Sequence, residues 1–167
     1  KTGKLPASAR IIEEVLVGPS LGKQAIHAGI ISLIVSFILI VLFMIFFYSS
    51  AGIVADIVLL LNLFMIIGLM AGFGSTLTLP GLAGIVLTLG MAVDANVIIY
   101  ERVKEELRLG KSLVIAAQEG FKHSLPAILD GNITTLLTGV ILAWIGMGPI
   151  KGFAITLIIG ILTTLYT

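Results

Sequence analysis

Apolar positions gather into five runs, each long enough to be weighed against the ~20 residues a helix needs to cross a hydrocarbon core of ~30 Å. They are Ala28 to Tyr48, Ile53 to Gly72, Leu79 to Val103, Leu125 to Ile145 and Ile150 to Thr167. Short polar or turn-forming stretches separate them. Phe46, Phe47 and Tyr48 form an aromatic edge before Ser49-Ser50-Ala51-Gly52, and Trp144 marks the end of the fourth run. In the link Gly74 to Gly81, Pro80 falls in the first turn of the third helix, where its missing N–H costs little. From Glu101 that helix turns charged, as ERVKEELRLG, and ends at Gly110, a residue suited to a left-handed helix stop. Ser112 then caps a short amphipathic helix over Leu113 to Phe121, expected to lie on the membrane surface. Gly68 and Gly72, spaced as in close-packed membrane helices, suggest a tight helix contact. Residues 1–27 differ in kind: ARIIEEVLVGPSLG combines β-branched residues with a Gly-Pro-Ser stop and reads as a strand of a neighbouring soluble domain. The predicted fold is an all-α membrane protein of five transmembrane helices with a short extramembrane N-terminal segment.

Composition agrees, with 58% hydrophobic and 11% charged residues and a mean hydropathy of +1.18. Soluble domains carry roughly 25% charged residues. The net charge of +1 gives no footing for nucleic acid. There is no cysteine, and the two histidines, His27 and His123, lie at the ends of different segments. No metal site or cofactor is expected, and no nucleophile constellation suggests an enzyme. The start lacks the apolar core of a signal peptide, and the last apolar run stops without flanking charge, so the chain reads as a piece of a longer protein. Five basic residues fall on each side of the predicted bundle. The dense group from Arg102 to Lys122 occupies a short link and so marks the better cytoplasmic candidate.

Against this apolar background a few polar side chains stand out: Asp56 and Asn62 in the second run, Asp94 and Asn96 in the third, and Asp130, Asn132, Thr134, Thr135 and Thr138 in the fourth. A carboxylate in hydrocarbon costs several kcal/mol unless it is partnered or protonated, so an acid there is a functional candidate by default. Asp94 is the foremost one, sharing a helix face with Met91, Val97, Ile98 and Glu101. Chain reversal at each link places Asp56, Asp94 and Asp130 within about 10 Å of one membrane face, with Asn62 deeper. Asp130, Thr134 and Thr138 recur at four-residue spacing, a stripe expected to point into the bundle. Structural roles stand beside these readings. Threonines bond back to their own helix, asparagines join helices, and acids near the interface reach the headgroups. Tyr100, Glu101 and the cations after them read as an interface anchor.

The stretch LTLPGLAGIVLTLGMAVDANVIIYERVKEELRLGKS resembles the SecD part of the bacterial SecDF protein-export auxiliary, within the RND superfamily of transporters. The likeness extends to VGPSLG, ADIVLLLN, ILDGNITTLLTG and GPIKGFAITLIIGILT, and so covers nearly the whole chain. It implies most of one RND-type six-helix half, with residues 1–27 the remnant of a periplasmic domain and its linker. It also implies an inner-membrane helper of the SecYEG translocon that uses the proton gradient to pull on translocating polypeptide. The expected partners are a SecF half or subunit, SecYEG, YajC, YidC, the exported chain, protons and lipid. Asp94 stands at the family's proton-carrying aspartate, while an arginine and another aspartate would come from SecF. Two alternatives are half of an RND-type exporter of small molecules or lipids, and a structural translocon scaffold in which Asp94 is replaceable.

Overall fold

A computed structural model of the chain describes residues 19–74 and 78–167, and every regular element among them is an α-helix. The strand expected over ARIIEEVLV lies outside the described residues, as does most of the proposed N-terminal remnant. The helices are α1 (Pro19–Gly72), α2 (Leu79–Arg108), α3 (Leu113–Ile145) and α4 (Pro149–Tyr166).

Helix α1 is two arms. Ser49 alone breaks its helical backbone, at φ 48° and ψ −121°. Phe37, Val41 and Ile45 before this break line one groove with Ile53, Ile57 and Leu60 after it. In a straight helix Phe37 and Leu60 would stand ~35 Å apart at 1.5 Å per residue, so the chain folds back on itself. The four helices therefore supply the five membrane-length arms expected. The turn is tight because residue 52 is glycine: a Cβ there would collide with the Met44 carbonyl. Gly68 and Gly72 have no such purpose in this structure, since nothing lies within 4 Å of a Cβ built on either. Both are exposed, and the expected close contact is absent there.

At the start of α2 the Thr78 hydroxyl accepts the Gly81 N–H at 3.1 Å, and Pro80 lies in the first turn as expected. Gly110, at φ 83°, ends the helix. The structure corrects the expectation for the next segment. The surface helix over Leu113 to Phe121 and the span from Leu125 are one helix, continuous through Pro126. Its first turns are held against α2 rather than on lipid: Ala116, Gly120 and Ser124, spaced four apart, are buried. A Cβ on Gly120 would meet the Val103 backbone nitrogen at 2.9 Å. Ser112 stands at the cap position without making a side-chain cap bond.

Lipid offers no hydrophobic drive between helices, so close backbone packing must hold the bundle. Helices α2 and α4 meet through threonine against glycine. Thr156 touches Gly81 and Gly84, while Thr88 fills the space over Gly160, where its methyl leaves no room for a Cβ. Around this seam Leu82, Ile85, Leu89 and Val93 of α2 pack with Met44, Leu59, Ile66 and Met70 of α1 and Ile159 of α4. Phe46 and Phe64 are among the large apolar side chains facing outward, as a lipid-facing surface requires.

Candidate proton-handling site

The buried stripe of α2 determines where Asp94 points. Leu89, Ala92 and Val93 face the core, and a step of about 100° per residue carries Asp94 out of it. Asp94 is exposed in this chain, on the outer side of α2, rather than enclosed by the five arms. There it lines a cleft of about 240 Å³ between α2 and α3, with Met91 and Ile98 from its own helix and Gly131, Asn132 and Thr135 from the other. Gly131 leaves its wall low, with nothing within 4 Å of a Cβ built there.

The other polar candidates divide among separate places. Asn132 and Thr135 share the Asp94 cleft. Asn132 is buried and donates from Nδ2 to the Ile128 carbonyl at 2.8 Å. Asp130, Thr134 and Thr138 are exposed, so their stripe faces outward and not into the bundle as expected. The reason is geometric: the face of α3 that packs on its neighbours carries Gly120, Ser124, Asn132 and Gly139, which leaves Asp130 on the far side. Thr134, Thr135 and Thr138 each donate to the carbonyl four residues back, at 2.8, 2.8 and 3.0 Å. That is the structural role weighed for them.

Asn62 and Asn96 line a different cavity, of about 340 Å³, with Thr164 and Thr167. Asn62 is 1% exposed and donates to Thr164 Oγ1 at 3.2 Å and Thr167 Oγ1 at 3.0 Å, tying α1 to the end of α4. Asp56 stands apart from both cavities, in the apolar groove of the α1 hairpin, with both carboxyl oxygens buried and unpartnered. The three aspartates do not converge on one site.

Two clusters escaped the sequence reading. At the α1 turn, Tyr48 Oη donates to Glu101 Oε1 at 3.0 Å, Lys104 Nζ donates to the same oxygen at 2.9 Å, and the ammonium lies 4.3 Å from the Tyr48 ring centre. Tyr100 Oη donates to the Ala51 carbonyl at 2.9 Å. What looked like a plain interface anchor is a clasp between α1 and α2. Beyond it, the buried Glu106 pairs with Lys111 and with His123, and Lys111 also pairs with Glu119. Hydrogen bonding to Lys111 outweighs burial and holds the Glu106 carboxyl below the usual glutamate range, with His123 adding to the effect. The same pairs, Glu106 first and Glu119 next, hold the Lys111 ammonium above its ordinary value. Partners scattered along the chain, with His123 17 positions from Glu106, give no local spacing that would have revealed this cluster.

A profile of the protein-export membrane proteins SecD and SecF, C-terminal part, matches residues 2–167. The chain belongs to the SecD/SecF C-terminal family. The protein translocase subunit SecD of Rhodothermus marinus is 53% identical over the whole chain, which covers 27% of that protein. The SecD subunit of Leptotrichia buccalis is 52% identical, again over the whole chain and 41% of its own length. Among solved structures, the crystal structure of SecDF, a translocon-associated membrane protein from Thermus thermophilus, superposes with a TM-score of 0.86 at 48% identity. That match covers 90% of this chain and 21% of the other. A SecDF crystal structure in a super-membrane-facing form gives 0.82 at the same identity, covering 89% of this chain and 20% of that one. The chain thus spans from about a fifth to two fifths of the length of these relatives, and the likeness carries its all-helical membrane fold.

Proposed function

We propose that this chain is membrane-spanning machinery of a Sec-translocon auxiliary subunit that uses the proton gradient to assist protein export across the bacterial inner membrane. Asp94 carries the proton. The observation behind this reading is its placement: a carboxyl at the heart of an apolar helix is turned onto an open face, in a cleft it shares with Asn132 and Thr135, instead of being sealed among the five arms. An intramembrane acid is tolerated where it faces further protein or a hydrated cavity. A second bundle, the SecF half, closing over α2 and α3 supplies that cover and the cationic partner, and motion of that half alternates the partner's distance. Partner close, the carboxylate is favoured and a proton leaves; partner distant, the neutral acid is favoured and a proton binds. Asn132 and Thr135 support this site through the shared cleft. Asn96, Asn62 and Asp56 have supporting structural roles elsewhere in the bundle, and Asp130 and Thr134 lie on the outer face of α3. SecYEG, YajC, YidC and the translocating polypeptide are the partners this role requires.

Asn in place of Asp94 keeps the side-chain shape and removes titration. In the full-length protein, Asp94→Asn is expected to insert at normal abundance and to lose gradient-dependent export, with Asp130→Asn and Asp56→Asn milder. Export of a secreted client into membrane vesicles, with and without a proton gradient, measures this. Undiminished gradient stimulation in Asp94→Asn would favour a scaffold role.

A further inference from the structure

Asp94 lies halfway between two grips on α2. Six residues before it, Thr88 fills the space over Gly160 of α4. Six residues after it, Tyr100 donates from Oη to the Ala51 carbonyl of the α1 turn at 2.9 Å, and its ring centre lies 5.4 Å from that of Tyr48. Glu101 completes this second grip, accepting from Tyr48 Oη at 3.0 Å and from Lys104 Nζ at 2.9 Å. Tyr48 and Ala51 stand on either side of the Ser49 break, so the grip takes hold of both arms of α1. Seven steps of about 100° make two turns less about 20°, so Glu101 stands almost in line with Asp94 on one face of the helix, about 10 Å along it. Whatever fixes the direction of Glu101 therefore fixes that of Asp94.

Lipid itself resists the turning of α2 very little, since Leu87 and Ile98 on its open side are as apolar as the buried Leu89 and Val93. Rotation by one residue's step, about 100°, carries Asp94 out of the cleft it shares with Asn132 and Thr135. We infer that Tyr100 and Glu101 are positioning residues for Asp94: tied to the α1 turn, they set the rotation of α2 and keep the carboxyl on the cleft. The inference rests on Asp94 being the proton carrier. Both residues act through the helix backbone and exchange no proton with Asp94. The Lys104 ammonium, 4.3 Å from the Tyr48 ring centre, holds that ring in place at the turn. Without these bonds, this end of α2 keeps its packing against Gly120 of α3 through Val103 but loses its polar ties to α1.

The experiment uses the full-length protein in membranes. Tyr100→Phe, alone and together with Tyr48→Phe, removes the hydroxyl ties to Ala51 and Glu101 while keeping both rings and every charged residue. Infrared difference spectra across a pH titration follow the Asp94 carboxyl, identified as the C=O band missing from Asp94→Asn, and thermal unfolding in detergent reads stability separately. In the double variant the expected result is normal abundance, a carboxyl band broadened over several environments and a displaced titration midpoint. Gradient-dependent export should fall by about tenfold, the scale of loss that a small misplacement of a reacting group brings. Tyr100→Phe alone should move the band and the midpoint in the same direction by less. A lower unfolding midpoint with the band, titration and export of the parent makes the clasp a fastening only and overturns the inference. Lost export with an unmoved carboxyl band overturns it too, since the defect then lies away from Asp94. Undiminished export in Asp94→Asn instead removes the carrier reading, while the spectra still report whether the clasp orients Asp94. Should the double variant fail to accumulate, the band and midpoint in Tyr100→Phe decide the matter.

Discussion

Asp94 could be picked out of the sequence because a lone carboxylate among apolar residues is costly wherever the helix turns. Its direction could not, because that depends on which stripe of α2 is buried, and Leu82, Ile85, Leu89 and Val93 are no more apolar than Leu87 or Ile98 on the other side. In a soluble protein polarity would separate the two faces, but in lipid both are apolar and only the glycine–threonine seam with α4 marks the inner one. Ser49 was legible only as part of a break. Its φ of 48° is a conformation that a side chain disfavours and glycine accepts. Such a residue stores about 1–3 kcal/mol, part of which glycine returns as added entropy in the unfolded chain. Ser49→Gly is therefore expected to stabilise the α1 hairpin by about 1 kcal/mol, read as a higher midpoint of thermal unfolding in detergent. A lower midpoint would show that the turn is held by the Ser49 side chain instead.

At the scale of elements, helix identity and the turns at Pro80 and Gly110 followed from composition and spacing, whereas the unity of α3 did not. Phe121 to Leu125 carries Lys122, His123 and Ser124, a polar interruption that looks like a boundary. The structure bridges it because Gly120 lies against Val103 and Ser124 Oγ bonds the Gly120 carbonyl at 2.6 Å, so this stretch belongs to the α2–α3 seam. The seam is then pinned beyond the membrane by Glu106, Lys111, Glu119 and His123. Glu106 has its carboxyl held low, so its contribution is complete above the ordinary glutamate value of ~4.3 and fades as pH falls through the lower folded value. Lys111 is held high, so its contribution is complete below ~10.4 and fades as pH rises through the higher folded value. Hydrogen exchange of the amides in the Leu109 to Ser112 link should be slowest between those limits, after correction for the intrinsic pH dependence of exchange. Glu106→Gln should weaken the protection near neutral pH and flatten its acid-side dependence. Equal protection in Glu106→Gln and the parent would mean that packing at Gly120 alone holds the link.

For the whole molecule, the described arms fix which groups share a side. The Tyr48–Glu101–Lys104 clasp and the link from Leu109 to Ser112 lie at one end of the bundle. A single arm, α3, carries the chain to the other end, where Trp144 and Met147 are strongly exposed and Lys151 begins α4. From Tyr100 to the end of α2 the helix runs on for about eight residues, roughly 12 Å, so the Glu106 cluster stands clear of the hydrocarbon. The net charge of +1 does not orient the bundle. Proximity decides instead, because orientation follows cations in short links close to membrane ends. Lys111 lies in the short link from Leu109 to Ser112 and Arg102, Lys104, Arg108 and Lys122 flank it, whereas the link between α3 and α4 has no cation before Lys151. The expected orientation therefore has the Ser112 end in the cytoplasm and the Met147 end in the periplasm, the side on which the proposed export role would meet emerging polypeptide. The chain has no cysteine of its own to confuse labelling. In the full-length protein, freed of any other cysteine, Met147→Cys should react with an impermeant thiol reagent added outside spheroplasts. Ser112→Cys should react only after the membrane is opened. The reverse pattern would invert the bundle and require the proposed proton path through Asp94 to run in the opposite sense.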